Sequence, residues 1–119
     1  MTEIQKSKRY DLEDRTAQFA RQVRIFISGL PRTIATVEDE EQLTRSSGSI
    51  GANYIEANES LGKKDFLMKI KICRKEAKET EYWLKLINPP SQLQTIKDNL
   101  AEEARQLRHI FGAILTKSQ

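Results

Sequence analysis

The chain is short of the residues that interrupt helices or cross-link segments: its 119 residues include 5 glycines, 3 prolines and one cysteine. So little glycine and proline, beside 31% charged residues, argues against a turn-rich β-sandwich and against a Pro- or Gly-rich disordered chain. A single cysteine forms neither an intramolecular disulfide nor a cysteine zinc site, and it suits a reducing compartment, so a cytoplasmic location is expected. A single histidine, His109, is too few for a bundle di-iron centre, which takes Glu-x-x-His from two helices. Long apolar runs are missing too. The best, Ile25-Phe26-Ile27, stops at Ser28-Gly29, far short of the roughly 20 residues of a membrane span. Residues 1–10 lack the apolar stretch of an export signal. There is no Gly-Lys-Ser/Thr phosphate loop and no Ser/His/Asp set, so neither enzyme activity, cofactor nor metal is expected.

What is present is helical periodicity. Gly29-Leu30-Pro31, Gly62 and Asn88-Pro89-Pro90 divide the chain into four segments, predicting helices at about 12–28, 37–60, 63–88 and 92–116. The first carries Thr16, Phe19, Ala20, Val23, Phe26, Ile27 and Leu30 at spacings of three and four. The third carries Phe66, Ile70, Cys73, Ala77, Thr80, Leu84 and Ile87, and the fourth Leu93, Ile96, Leu100, Ala104, Leu107, Phe111 and Ile114. Matching seams and short connections predict one all-α domain over 1–119, an antiparallel up-down four-helix bundle. Ser91 with Gln94, and more weakly Thr36 with Asp39, have capping-box spacing, and Glu38 to Glu41 would form an acidic, solvated first turn. In the second helix Ser46-Ser47-Gly48-Ser49-Ile50-Gly51-Ala52 gathers small residues. Two helix-interior glycines cost roughly 1 kcal/mol each, and a close helix crossing accounts for them.

The run Gln42-Leu43-Thr44-Arg45-Ser46-Ser47-Gly48-Ser49-Ile50-Gly51-Ala52-Asn53-Tyr54-Ile55-Glu56 resembles the signature of the bacterial four-helix bundle proteins also called ribosomal RNA intervening-sequence proteins. The likeness continues through Lys64-Asp65-Phe66, Ile72 to Ala77, and Glu79-Thr80-Glu81-Tyr82-Trp83-Leu84; Ala57 departs from it where many members have glycine. The resemblance implies an antiparallel bundle assembled into a pentameric ring. It implies a distant likeness to the accessory protein of diversity-generating retroelements, a basic pentamer that binds a reverse transcriptase and nucleic acid.

Three sets of residues are candidates for function. Residues 38–62 hold one basic and six acidic residues, whereas 63–88 hold eight basic and four acidic, so the third helix concentrates positive charge. Lys64, Lys71, Lys75, Lys78 and Lys85 follow helical spacing with Arg74 and Lys69 beside them, and Lys64, Lys71, Arg74, Lys75 and Lys78 suit sequence-indifferent binding of RNA or DNA phosphates, although Glu76, Glu79 and Glu81 interleave with them. Ile72, Tyr82, Trp83 and Leu86 form a second apolar stripe for a homo-oligomer interface or a protein partner, with Ile25 and Leu115 also off their seams. If the second and third helices fold back at Gly62, residue 62−k lies near 62+k. Ser49, Asn53, Glu56 and Glu76 then fall along their contact as an inter-helix polar ladder, Glu76 and Glu79 bonding to serines, or less readily as a small-ligand site. Cys73 reads as a buried thiol and His109 as a surface or boundary residue. The expected function is a non-enzymatic oligomeric helical scaffold or adaptor holding RNA or DNA on the third helix. The alternative is a protein-docking module using the aromatic stripe.

Overall fold

A computed structural model describes residues 3–118, with side chains from residue 11 onward; the stretch 1–10, in which no export signal is expected, lies outside the described side chains. Four helices, α1 (Glu3–Ser28), α2 (Ile34–Asn58), α3 (Lys63–Leu86) and α4 (Gln94–Ser118), pack as an all-α bundle of 46 × 24 × 20 Å. Every neighbouring pair is antiparallel, as the cross-helix contacts show by their opposed numbering. Asn58 bonds Glu13, and Gly51 lies against Thr16, across α1 and α2; Lys69 bonds Glu56, and Thr80 bonds Ser46, across α2 and α3; Arg108 bonds Glu81, and Gly112 lies nearest Arg74, across α3 and α4; Arg15 bonds Glu103, and Phe26 shares a groove with Leu100, across α1 and α4.

The predicted seams form the core. Phe19, Val23 and Phe26 of α1 meet Leu43 and Ile50 of α2, Ile70, Cys73, Ala77 and Leu84 of α3, and Leu100, Ala104, Leu107 and Phe111 of α4. Two positions on α4 differ from expectation. Ile96 is 44% exposed, whereas Leu115, expected off the seam, is buried. Ile96 edges an open groove between α4 and α1 instead of packing into the core.

Helix ends differ where local chemistry outweighs the apolar pattern. α1 begins at Glu3 instead of about 12, because the segment before the seam has neither Gly nor Pro to stop a helix. α2 begins three residues early: Thr33 is its N-cap in a reciprocal capping box with Thr36, so Thr36 is the third helical residue and not the cap. Glu38 to Glu41 consequently leave the first turn, and Glu40 rotates inward and is buried, contrary to a solvated helix start. α3 stops at Leu86 because Asn88 precedes Pro89 and Ile87 is already extended; Lys97 of α4 donates to the freed Ile87 carbonyl at 2.6 Å. In place of a Ser91–Gln94 capping box, a 3-10 turn over Ser91–Leu93 leads into α4, and the Gln94 side chain bonds Asp98.

The small-residue run of α2 is a close crossing. A Cβ on Gly51 would lie 2.8 Å from Thr16 Oγ1, and one on Gly48 would lie 3.3 Å from the Arg24 guanidinium. Glycine lets α1 approach α2 at this point.

Candidate functional site

At 100° per residue, Lys64, Lys71, Lys75, Lys78 and Lys85 line up on the side of α3 opposite Ile70, Cys73, Ala77 and Leu84, and all five lysines are exposed. Glu76, Glu79 and Glu81, interleaved with them in sequence, leave that face. Glu76 is buried on the α2 side, where Arg45 Nη1 donates to it at 3.0 Å and Arg45 Nη2 to Glu79. Glu81 turns the other way and accepts from Arg108 of α4. Among the described residues Lys71, Arg74, Lys75 and Lys78 carry no ion pair, so the solvent face of α3 is uncompensated positive charge.

The face borders on α4, whose Arg108 is itself paired with Glu81. Arg74 and Lys78 share a groove of about 570 Å³ with Arg108, His109 and Thr116, floored by Gly112 and Ala113. Residue spacing pointed to Arg74 and Lys78 but not to Arg108, because nothing in the α4 sequence tells which helix lies beside it. His109 is exposed at the groove edge.

The predicted polar ladder exists in register but with different rungs. Glu56 accepts from Lys69 at 3.1 Å, in the fold-back register about Gly62. Ser49 Oγ and Asn53 Nδ2, however, donate to Arg45 O and Ser49 O on their own helix and do not reach α3. Glu76 and Glu79 bond Arg45 and not a serine, since a guanidinium meets two carboxylates where a hydroxyl meets one. The cross-helix serine is Ser46, whose Oγ accepts from Thr80 at 2.9 Å in a fully buried pair. Burial works to raise the Glu79 carboxyl, yet hydrogen bonds from Trp83 and Arg45 and the arginine charge outweigh it and hold Glu79 below the usual carboxylate range.

Cys73 is buried with Sγ donating toward Ile50 O at 3.5 Å, and loss of solvation pushes its thiol up to about 12, which keeps it un-ionised and un-nucleophilic at neutral pH. Glu40 Oε1 is buried and has no hydrogen-bond partner among the described residues. No three His, Cys, Asp or Glu side chains come together as a metal site among the described residues, and no helix there is long and apolar enough to cross a membrane.

The apolar stripe of α3 is divided. Trp83 is half-buried against the bundle's own core, its Nε1 donating to Glu79 Oε1 at 3.1 Å, and Ile72 is half-buried as well. Tyr82 and Leu86 remain exposed, at 54% and 43%. Spare apolar area on α3 is therefore smaller than the periodicity suggests. A second patch lies on the opposite side of the bundle, where Ile25 of α1 and Ile96 of α4 edge a mainly apolar groove of about 250 Å³ over Phe26, Leu93 and Leu100.

The model of the 23S rRNA-intervening sequence protein family matches residues 8–115. Among solved structures, a protein of unknown function from the S23 ribosomal protein family of Bacteroides thetaiotaomicron is 26% identical to the chain. It superposes with a TM-score of 0.73 over 87% of this chain and 96% of its own length. No curated protein matches.

Proposed function

The chain belongs to the 23S rRNA-intervening sequence protein family, and from that footing we propose that it is a non-enzymatic helical scaffold that holds RNA or DNA on the cationic face of α3. One observation carries the reading: Glu76, Glu79 and Glu81 are drawn to the flanks by Arg45 and Arg108, leaving Lys64, Lys71, Arg74, Lys75 and Lys78 facing solvent without carboxylates. Exposed lysines that neutralise phosphates release condensed counterions and bind without reading sequence. The un-ionised Cys73 supports a role without nucleophilic chemistry, and a free thiol suits the cytoplasm.

The scaffold works as a homo-oligomer, a pentameric ring being the form that the family resemblance implies. Exposed Ile55 on α2 and the Ile25–Ile96 groove on the α1–α4 side give each copy two separate apolar areas, as a head-to-tail ring requires. Repetition around a ring multiplies a weak patch into useful avidity. The exposed Leu86 favours a second reading, docking of a protein partner such as a reverse transcriptase on α3.

Fluorescence anisotropy with unrelated oligonucleotides tests the first reading. Binding at low salt is expected to fall about a hundredfold between about 50 and 200 mM salt if some four phosphates are neutralised per copy. The triple variant Lys71→Glu, Lys75→Glu, Lys78→Glu loses binding and keeps its helicity. Intact protein that binds no oligonucleotide at low salt overturns this reading and leaves the protein-docking one; a monomeric mass by light scattering overturns the ring.

A further inference from the structure

We propose that Tyr82 is a base-stacking platform within the cationic stripe, so that the nucleic acid held on α3 is single-stranded; this rests on the function proposed above. Tyr82 sits at a lysine position of the solvent face. Lys64, Met68, Lys71, Lys75, Lys78, Tyr82 and Lys85 recur at alternating steps of four and three, the spacing of one continuous helix face, and all seven are exposed. At 1.5 Å per residue the stripe runs about 32 Å from Lys64 to Lys85. The aromatic ring thus has Lys78 one turn before it and Lys85 one turn after it, with the Arg74–Lys78–Arg108 groove alongside.

Three observations distinguish Tyr82 from an ordinary interface aromatic. Of the four residues one turn away from it, Lys78 and Lys85 flank it along the face and are lysines, the residue type depleted from the cores of protein interfaces, with Glu79 and Leu86 to one side; Trp83 turns toward α2 and packs partly on the core. Its ring is buttressed by Trp83 in a T-shaped contact, with centroids 5.1 Å apart and planes at 70°, and Trp83 is itself fixed by Glu79, which Arg45 holds. The residue is 54% exposed, so ring surface stays open to solvent. A buttressed aromatic among cations is the arrangement by which proteins hold unpaired strands: phosphates follow the charges and a splayed base stacks on the ring. A duplex keeps its bases stacked on one another and gains only the phosphate contacts. Because the stripe offers one ring and no base-edge reader, the strand is held without strong sequence preference.

The test compares an oligothymidylate of about 15 nucleotides, near the upper end of site sizes for such surfaces, with a duplex of equal length, on the wild-type protein, Tyr82→Ala and Tyr82→Phe. The wild type is expected to prefer the single strand. Tyr82→Ala should weaken single-strand binding about tenfold and leave duplex binding unchanged, and Tyr82→Phe, which keeps the ring, should restore wild-type affinity. Tyr82→Ala binding the single strand like wild type, or losing strand and duplex equally, overturns the stacking role while leaving phosphate binding in place. Wild-type protein that binds neither probe overturns the function proposed above and this inference with it.

Discussion

The two sides of the bundle are held by different forces. Between α2 and α3 the apolar seam is threaded by directional bonds, Thr80 to Ser46, Arg45 to Glu76 and Glu79, and Lys69 to Glu56, each satisfied at only one register. Between α1 and α4 the described polar ties are few, chiefly Arg15 to Glu103 and Gln106, and the helices part near Ile25 and Ile96 into an apolar groove. Polar bonds fix register because a slipped rung leaves a buried group unpaired, whereas apolar contact tolerates sliding. The laddered side therefore presents α3 rigidly and disposes of its carboxylates, and the looser side keeps hydrophobic area free for another surface.

The largest effect expected from breaking this contrast is on the laddered side. Ile50→Ala removes a fully buried side chain at the α2–α3 contact and should cost about 2–5 kcal/mol in denaturant unfolding. A cost below about 1 kcal/mol would mean that side collapses as readily as the other. Arg45→Ala comes next. It leaves Glu76 buried without its partner and should destabilise by about 1–3 kcal/mol, discounted for the exposure of Arg45 itself. It also bears on pH. Glu79 titrates below the usual carboxylate value of about 4.3, so its contribution is complete above that value and is lost as pH falls through the lowered one. Because Trp83 Nε1 bonds Glu79, the emission of this single tryptophan should report that acid transition, and Arg45→Ala should move it to higher pH. An unmoved transition would remove Arg45 as its cause. The smallest effect belongs to the open side: Ile25→Ser with Ile96→Ser should leave protomer stability within about 0.5 kcal/mol while lowering the mass found by light scattering. Unchanged mass would free the groove of any part in assembly.

The same contrast separates what was legible before the structure from what was not. The signature run Gln42 to Glu56 turns out to be architectural, since Arg45 and Ser46 bond α3 and Gly51 admits α1. The fold-back about Gly62 placed Glu56 beside Lys69 without coordinates. It did not find Arg45 as the partner of Glu76, because a long side chain reaches across turns that a register count treats as separate. Ile96 stayed out for a related reason: it satisfies the period of α4, but α1 and α4 part beside it, and the period alone does not show where two helices separate.

The sequence by itself determined four helices, their inward faces, the α2–α3 register and the concentration of positive charge on α3, because each depends on residues a few positions apart along one rod. Tertiary structure alone decided which flank each carboxylate turns to, that Arg108 and His109 join the α3 surface, and that Trp83 leans inward while Tyr82 stays out. Those outcomes depend on which helix lies alongside, and helical periodicity carries a direction for each side chain but no identity for what it meets.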